Sequence, residues 1–152
     1  MKSWVQKIRK ICQEFGIVLC YLFGSQKELG KAFLEGTEVR MTDSASDIDF
    51  AVLFRKPPKS FLQTYALLSL ELQELVHPFK ADLLFLQEVD HLIQLEAIRG
   101  INIFSKNKKT QDEYEERVLT LAADEYEIFK RNEKDLFEAI DNGYFEFEYQ
   151  ND

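Results

Sequence analysis

The eight residues Asp47–Phe54 place the strongest constraint on the fold of this chain, because they read Asp-Ile-Asp-Phe-Ala-Val-Leu-Phe. A short apolar run rich in residues that suit a pleated surface predicts a β-strand. Alternate residues of a strand share one face, so Asp47 and Asp49 are aimed at one volume, about 6.6 Å apart along the chain. Their repulsion must be relieved by a shared proton or by bound cations. The run therefore predicts a functional site at the start of this strand.

A Gly-Ser pair upstream indicates what kind of site this is. Residues 18–23 form a continuous apolar run that predicts a buried strand, and Gly24 and Ser25 follow it directly, ahead of a predicted helix over 26–33. A glycine turn at a helix N-terminus offers free backbone N–H groups and a favourable dipole for phosphate, and the serine hydroxyl can donate one more hydrogen bond. The pair alone is a weak signal, since a serine at this position is more often only the N-cap of the helix.

A third carboxylate, Asp82, is the second residue of another predicted strand, Ala81–Leu86. Mg²⁺ takes carboxylate oxygens and completes its coordination with substrate phosphates, and three carboxylates could hold two such ions ~3.5–4 Å apart for an in-line displacement. Taken singly, Asp47 could cap a turn and Asp82 could be a strand-edge residue. The order and strand positions of all the aspartates favour metal-dependent chemistry on a phosphate.

The apolar periodicities along the rest of the chain predict an α+β domain with a small central sheet and a helical C-terminal part. Phe145, Phe147 and Tyr149 alternate with glutamates, which suits either a strand folded onto its own domain or an edge that pairs with a partner chain. Further predicted elements are helices over 4–15, 59–76 and 88–98, a long helix from Gln111, a short strand over 101–104 and a loop over 34–46.

The composition sets the class of protein and its surroundings. With 45% hydrophobic and 30% charged side chains in 152 residues, the chain suits one soluble globular domain rather than a disordered segment. No apolar run approaches the ~20 residues that span a bilayer, and residues 1–10 lack the apolar core of a signal peptide. Cys12 and Cys20 lie in apolar periodic stretches and are expected to be reduced packing residues. The expected location is the cytoplasm.

The net charge of −8 is concentrated near the C-terminus. Residues 111–152 carry 14 acidic and four basic side chains, whereas residues 1–110 carry 13 acidic and 15 basic ones. Nucleic-acid binding needs clustered lysines and arginines, so direct DNA or RNA binding is not expected, while the nearly neutral first part can still accept a nucleotide. The acidic region suits either a solvated helix face or a surface for a partner.

The order Gly-Ser, then Asp-x-Asp, then a lone Asp on a later strand resembles the DNA polymerase β-like nucleotidyltransferase superfamily. The string Ser46–Phe54 is similar to its small prokaryotic members, the minimal nucleotidyltransferases (MNT), and residues 96–116 resemble their helical tail. The resemblance covers most of residues 17–126. It implies a small mixed sheet flanked by helices, with residues 1–109 as the nucleotidyltransferase domain and 110–152 as an acidic helical extension packed on it.

The resemblance also implies roles for individual residues. Asp47 and Asp49 would bind two Mg²⁺ ions, and Asp82 would complete the shell of the catalytic ion and help to deprotonate the acceptor hydroxyl. Gly24 and Ser25 would hold the β- and γ-phosphates of ATP. The enzyme would transfer AMP from ATP, with release of pyrophosphate. These small proteins resemble antitoxins whose partner is an all-helical HEPN-type RNase toxin, and members of that group modify a toxin tyrosine with AMP.

Two departures from the family pattern bear on these expectations. Twenty-one residues separate Ser25 from Asp47, which is longer than usual. The extra length falls into the predicted loop, where insertions have a small entropic cost. Gln26 stands where an arginine often follows Gly-Ser, so Lys27 or Lys31 would have to supply the phosphate cation.

Two other functions stay open at this point. One is transfer of AMP to a small hydroxylated molecule, although such relatives generally carry a larger acceptor-binding domain. The other is a non-catalytic antitoxin that neutralises a toxin by contact alone, against which the retained carboxylates weigh. The identity of the nucleotide and of the acceptor, and whether the chain forms a homo-oligomer, cannot be read from the sequence.

Overall fold

The structure, a computed structural model, describes residues 3–39 and 47–141, with the backbone alone at residues 129, 133, 136, 137 and 139–141. Helices and strands alternate along most of this length, as the apolar periodicities predict. The helices are α1 (Ser3–Phe15), α2 (Lys27–Leu34), α3 (Phe61–Val76), α4 (His91–Ile98) and α5 (Lys108–Asp141). The strands are β1 (Ile17–Phe23), β2 (Asp47–Phe54), β3 (Lys80–Phe85) and β4 (Ile101–Ser105).

The strands form one four-stranded mixed sheet in the order β3-β2-β1-β4. Strand β1 pairs antiparallel with β2 on one side and with β4 on the other. Strand β3 lies at an edge and runs parallel to β2. Parallel neighbours need a long crossover connection, and α3 supplies it. The predicted α+β class with a small mixed sheet is confirmed.

Helices cover both faces of the sheet and bury two apolar clusters. On one face, side chains of α1, α2 and α3, such as Ile8, Leu34 and Leu72, pack against the strands. On the other face, Ala97 of α4 and Val118 of α5 pack against β1 and β2. Because strand side chains alternate between the faces, the two layers are filled by alternate residues of the same strands. This alternation decides which way the aspartates of β2 point.

Local signals explain where several helices begin and end. Gly16 has φ +69°, a left-handed conformation that ends α1 and suits glycine. Ser60 accepts a hydrogen bond from the backbone N–H of Gln63 at 3.3 Å and caps α3. Asp90 does the same for α4 through the N–H of Ile93 at 2.9 Å. Each cap satisfies a backbone donor that the helix itself leaves unpaired.

Two predicted helix boundaries are wrong by a few residues. The helix predicted over 88–98 begins only at His91, because the chain forms a short 3₁₀ turn at Leu86–Glu88 and is extended at Val89. The last helix begins at Lys108 rather than at Gln111, since the Asn107 side chain accepts the N–H of Thr110 at 2.8 Å and caps it earlier. The other predicted elements agree to within about two residues, the scatter usual at element ends.

Two further expectations can be compared with the described residues. Cys12 and Cys20 are both free and buried. None of the described helices is both long and apolar enough to cross a bilayer. The aromatic alternation at residues 145–149 lies outside the described residues, as do residues 40–46 of the predicted loop.

Candidate active site

The sheet brings the three predicted carboxylates to one face. Asp49 of β2 is the register partner of Asp82 of β3, and Asp47 is the partner of Lys80. The intervening Ile48 is completely buried in the cluster on the α1–α3 face, so its neighbours Asp47 and Asp49 point to the opposite face. Parallel register puts Asp82 on that same face. All three lie at the beginning of β2 and β3, where Asp47 and Asp49 are partly buried and Asp82 is exposed.

The turn after β1 comes up against the same carboxylates. Phe23, the last residue of β1, is the register partner of Asp49, and Gly24 follows with φ +78°. An ideal Cβ placed on Gly24 would overlap the Asp49 carboxylate oxygen Oδ2. Glycine is therefore required here twice, for its backbone conformation and for the close approach of the turn to the carboxylate. The structure thus joins the Gly-Ser turn to the Asp-x-Asp strand.

The electrostatics of the site indicate an unmet need for positive charge. Desolvation by partial burial, followed by the negative charges of Asp82 and Asp47, raises the pKa of Asp49 from 3.8 to about 6. The oxygen Oδ1 of Asp47 is buried and has no hydrogen-bond partner among the described residues. A buried carboxylate oxygen without a partner is costly. A bound cation would relieve both conditions.

These residues fit a divalent metal ion. Carboxylate oxygens are the ligands that Mg²⁺ prefers, and the unpartnered Oδ1 of Asp47 is available as one of them. Within the described ranges, however, no group of three or more His, Cys, Asp or Glu side chains is arranged so that it could hold a metal ion by itself. Mg²⁺ usually keeps several ligands from water and substrate phosphates. The site therefore suits an ion that is held jointly by protein and nucleotide.

The predicted phosphate-binding residues lie at the start of α2. Gln26 occupies the N-cap position without a side-chain capping bond, and Lys27 is the first helical residue. The backbone N–H of Lys27 donates to the carbonyl of Gly24 at 3.4 Å. Ser25 is exposed and precedes the cap position, so it is not the N-cap that a structural interpretation of Gly-Ser would require. Its hydroxyl, and the half-buried Lys27 beside it, stay candidates for a ligand.

One residue that supports the site was missed by the sequence analysis. Gln73 of α3 accepts a hydrogen bond from the backbone N–H of Ala81 at 3.0 Å, and its amide nitrogen donates to the carbonyl of Phe79. These bonds tie α3 to the start of the edge strand, directly before Asp82. A glutamine in an amphipathic helix usually indicates only a solvent-facing position, so no sequence pattern pointed to it.

The two histidines do not join the site. His77 is exposed at the C-terminal end of α3. The ring of His91 hydrogen-bonds through Nδ1 to the carboxylate of Glu125 and links α4 to α5. Both were left out of the predicted catalytic groups.

Comparison with known families identifies the class of protein. Residues 6–109 match the family described as polymerase beta, nucleotidyltransferase. This match covers more than half of the chain and includes Gly24, Ser25 and all three aspartates. The chain belongs to this nucleotidyltransferase family, as its resemblance predicts. A comparison with curated protein sequences finds no match.

Solved structures with the same fold include chains of toxin–antitoxin complexes. A chain of a mutant MntA–HpeT toxin–antitoxin structure aligns with TM-score 0.61 and 15% identity, covering 90% of this chain and 97% of the other. A toxin–antitoxin structure with AMP-PNP gives TM-score 0.60 and 18% identity, with coverage of 90% and 97%. The complex of tri-AMPylated HEPN toxin with MNT antitoxin from Shewanella oneidensis gives TM-score 0.58 and 15% identity, with coverage of 92% and 98%. At these identities the likeness establishes the shared fold.

Proposed function

We propose that this protein is the antitoxin of a toxin–antitoxin pair and acts by transferring AMP from ATP to a hydroxyl group of a HEPN-type RNase toxin. The observation that carries the proposal is the convergence of Asp47, Asp49 and Asp82 on one face, against the Gly24 turn, in a chain of the nucleotidyltransferase family. A protein with only a structural role gains no stability from a cluster in which burial and two neighbouring carboxylates raise the pKa of Asp49. An enzyme that binds a triphosphate with a metal ion needs such carboxylates as ligands for the metal ion.

The proposed roles follow from the position of each side chain. Asp47, Asp49 and Asp82 would hold Mg²⁺, which when bound neutralises the phosphates and stabilises the leaving pyrophosphate. The unpartnered Oδ1 of Asp47 and the raised pKa of Asp49 support this assignment. Gly24 lets the turn after β1 lie directly against the Asp49 carboxylate. The hydroxyl of Ser25 and the ammonium of Lys27 would bind its oxygens.

The proposed reaction is a single displacement at the α-phosphorus. The acceptor hydroxyl oxygen forms a bond to that phosphorus, the bond from the α-phosphorus to the bridging oxygen breaks, and pyrophosphate leaves with the bond electrons. Asp82 would accept the hydroxyl proton. Its position suits this role because it is the exposed carboxylate of the three, and one oxygen is oriented by the N–H of Leu83 at 3.0 Å.

Two observations support a toxin as the acceptor: the partners seen in the structural neighbours, and the acidic charge of residues 111–152. One of these structures is a complex of a tri-AMPylated HEPN toxin with its MNT antitoxin. A surface that attracts RNA must be basic, and residues 111–152 carry 14 acidic and only four basic side chains. We propose that residues 1–109 carry the chemistry, that the acidic region 110–152 contributes to partner binding, and that the pair works in the cytoplasm, where ATP is available.

The test is transfer of label with purified protein, Mg²⁺ and a purified HEPN-type protein, taken from a neighbouring reading frame if one encodes it. Label from α-labelled ATP should appear on the partner, whereas label from γ-labelled ATP should not, because the γ-phosphate leaves in pyrophosphate. Asp49→Asn should abolish transfer while the fold is retained, since the amide keeps the size of the carboxylate but loses the charge. Glu14→Gln, at an exposed position of α1 outside both the aspartate site and the acidic region 110–152, is the matched control and should transfer normally.

Other outcomes would identify the alternatives. Label on a small hydroxylated acceptor and none on the partner would favour a small-molecule nucleotidyltransferase. Toxin neutralisation by Asp49→Asn as efficiently as by the unmodified chain, with no label transfer from either, would favour an antitoxin that acts by contact alone.

A further inference from the structure

We propose that a second, cationic cavity at the opposite end of the sheet binds a small phosphorylated molecule of nucleotide size. The cavity has a volume of about 450 Å³ and lies where α1 meets the start of β1 and the ends of β2 and β4. Arg9, Arg55 and Lys106 line it, one from each of three separate parts of the chain. This cavity is called the basic cavity below.

Among the residues that the structure describes, no acidic side chain balances the three cations of the basic cavity. Its lining contains no acidic side chain among the described residues. Arg9, Arg55 and Lys106 also take no part in the ion pairs found between described residues. By contrast, the nearby Lys108 pairs with Asp112 at 3.1 Å. All three side chains are exposed, and a concavity lined by three cations and no carboxylate favours an anionic ligand.

A neighbouring cavity shows that the arrangement is not general for this surface. The cavity between α1 and α3, of about 330 Å³, is lined by Lys7 and Lys10 together with the carboxylates of Glu14, Glu71 and Glu74. In this cavity the three glutamates outnumber the two lysines. Only the basic cavity, of these two, leaves positive charge without compensation.

The shape and chemistry of the lining define the ligand class. A concavity of this size is within the ~300–1,000 Å³ range of small-molecule sites. Two arginines can bind phosphate oxygens through paired N–H groups, and a lysine adds a point charge. Phe104 offers an aromatic surface, and buried Cys12 and Ile17 form an apolar floor. Together these features suit a molecule with an anionic phosphate end and a flat or apolar remainder, rather than a free inorganic anion.

The basic cavity is separate from the proposed active site. Strand β1 runs from Ile17, which lines the basic cavity, to Phe23, which precedes Gly24. A strand of seven residues is about 20 Å long. Arg55 follows the end of β2 that lies away from Asp47 and Asp49, and its N–H donates to the carbonyl of Gly16 at 2.9 Å. A ligand here would act on the enzyme from a distance.

The test is calorimetric titration of the full chain with AMP, adenosine and inorganic pyrophosphate, without divalent metal. In the absence of metal the aspartate site repels anions. AMP should therefore bind in the basic cavity, and adenosine should not bind because it lacks the phosphate. Arg55→Gln and Lys106→Gln should each weaken AMP binding about tenfold, the usual range for losing one charged hydrogen-bonding group. Lys108→Gln, the same charge change two residues away on a paired lysine, should weaken it less than about twofold.

Further titrations distinguish the possible classes of phosphate-containing ligand. Binding of pyrophosphate as tightly as AMP would overturn the nucleotide-sized ligand. Affinity for 5′-phosphorylated oligonucleotides that rises steadily with length would show a nucleic-acid surface and overturn the small-molecule proposal. Equal weakening by Arg55→Gln and Lys108→Gln, or AMP binding that Asp49→Asn abolishes, would show that the ligand is not in the basic cavity. Absence of AMP binding would overturn the basic cavity as a ligand site but would not contradict the proposed nucleotidyl transfer, because Arg55 lies outside the aspartate site.

Discussion

At the scale of single residues, Gly24 matters because of the side chain it lacks. Its positive φ alone would make any other residue strained. Two further glycines, Gly16 and Gly36, share this conformation but have open space where a Cβ would lie. Only at Gly24, of these three, does the space belong to a carboxylate of the proposed active site. The three positions therefore separate backbone strain from damage to the site.

We predict that Gly24→Ala abolishes nucleotidyl transfer, whereas Gly36→Ala retains it. Both substitutions should lower the free energy of unfolding by about 1 kcal/mol through backbone strain. Gly24→Ala should additionally displace the Asp49 carboxylate. Label transfer and chemical unfolding of both variants provide the check. Equal activity of the two would mean that the turn does not shape the site.

A second prediction concerns Asp49 and pH in the metal-free protein. The pKa of Asp49 is about 6 in the folded protein against an ordinary value of 3.8, so between these pH values the folded state holds a proton that the unfolded state has lost. Stability contributed by this proton is fully present below about pH 4 and is lost as the pH rises to about 6. Asp49→Asn should therefore stabilise the protein at pH 7.5, by about 1 kcal/mol after allowance for solvent screening, and by nothing at pH 3.5.

The measurement is chemical unfolding of Asp49→Asn and the unmodified chain at both pH values, with a chelator present. Asp124→Asn serves as the control and should change stability at neither pH. A constant difference between Asp49→Asn and the unmodified chain at both pH values would show that charge repulsion is not its cause.

At the scale of secondary-structure elements, the bounds of a strand can be predicted when residues next to it in the sequence end its apolar run. Asp47–Phe54 was predicted to the residue, because its apolar run is bounded by a proline pair on one side and polar residues on the other. The predicted helix boundaries were wrong where a side-chain cap or a short turn sets the first residue of the helix. Asn107 caps α5 three residues early, and the 3₁₀ turn after β3 delays α4. Neither feature has a periodicity that a sequence reader can detect.

The tie between α3 and the edge strand gives a prediction at this scale. Gln73→Ala should lower the free energy of unfolding by about 1–2 kcal/mol, because it leaves backbone groups of Phe79 and Ala81 without partners. It should also lower kcat more than it raises the KM for ATP, since Asp82 follows directly and loses its fixed position.

Gln87 provides a matched control for this substitution. Its amide bonds both backbone groups of Phe54, donating to the carbonyl at 2.8 Å and accepting from the N–H at 3.3 Å. This tie lies at the other end of β2, away from the aspartates. Gln87→Ala should therefore destabilise the protein without changing kcat. Loss of kcat in both variants would assign the effect of Gln73 to stability alone.

At the scale of the whole molecule, the candidate site was predictable because it depends on the order of a few motifs, and the sheet merely brings them together. Asp49 and Asp82 are 33 positions apart in sequence but are register partners in the sheet. The sequence does not predict the individual contacts between these segments. The contact between Gly24 and Asp49, the bond from Gln73 and the basic cavity all join segments that no periodicity connects.

The charge asymmetry of the molecule leads to the last prediction. Exposed acidic side chains continue along α5 beyond the residues that pack on the sheet, among them Asp124, Glu127, Asp135 and Glu138. An opposite charge on a partner speeds association and makes its rate depend on salt. Deleting residues 142–152 removes Glu146, Glu148 and Asp152 together with the alternating aromatic residues. We predict that this truncation weakens binding of the HEPN-type partner more than it weakens binding of ATP.

A full-length variant that carries Glu146→Gln, Glu148→Gln and Asp152→Asn separates charge from aromatic contact. If charge is the cause, this variant should match the truncation at low ionic strength, and both should converge on the unmodified chain at high ionic strength, where exposed charges are screened within about 8–10 Å. The measurement is partner affinity and association rate at two salt concentrations. If neither variant changes the affinity or its salt dependence, the terminal segment has no part in the partner surface. If only the truncation weakens binding, and does so equally at both salt concentrations, the aromatic residues make the contact.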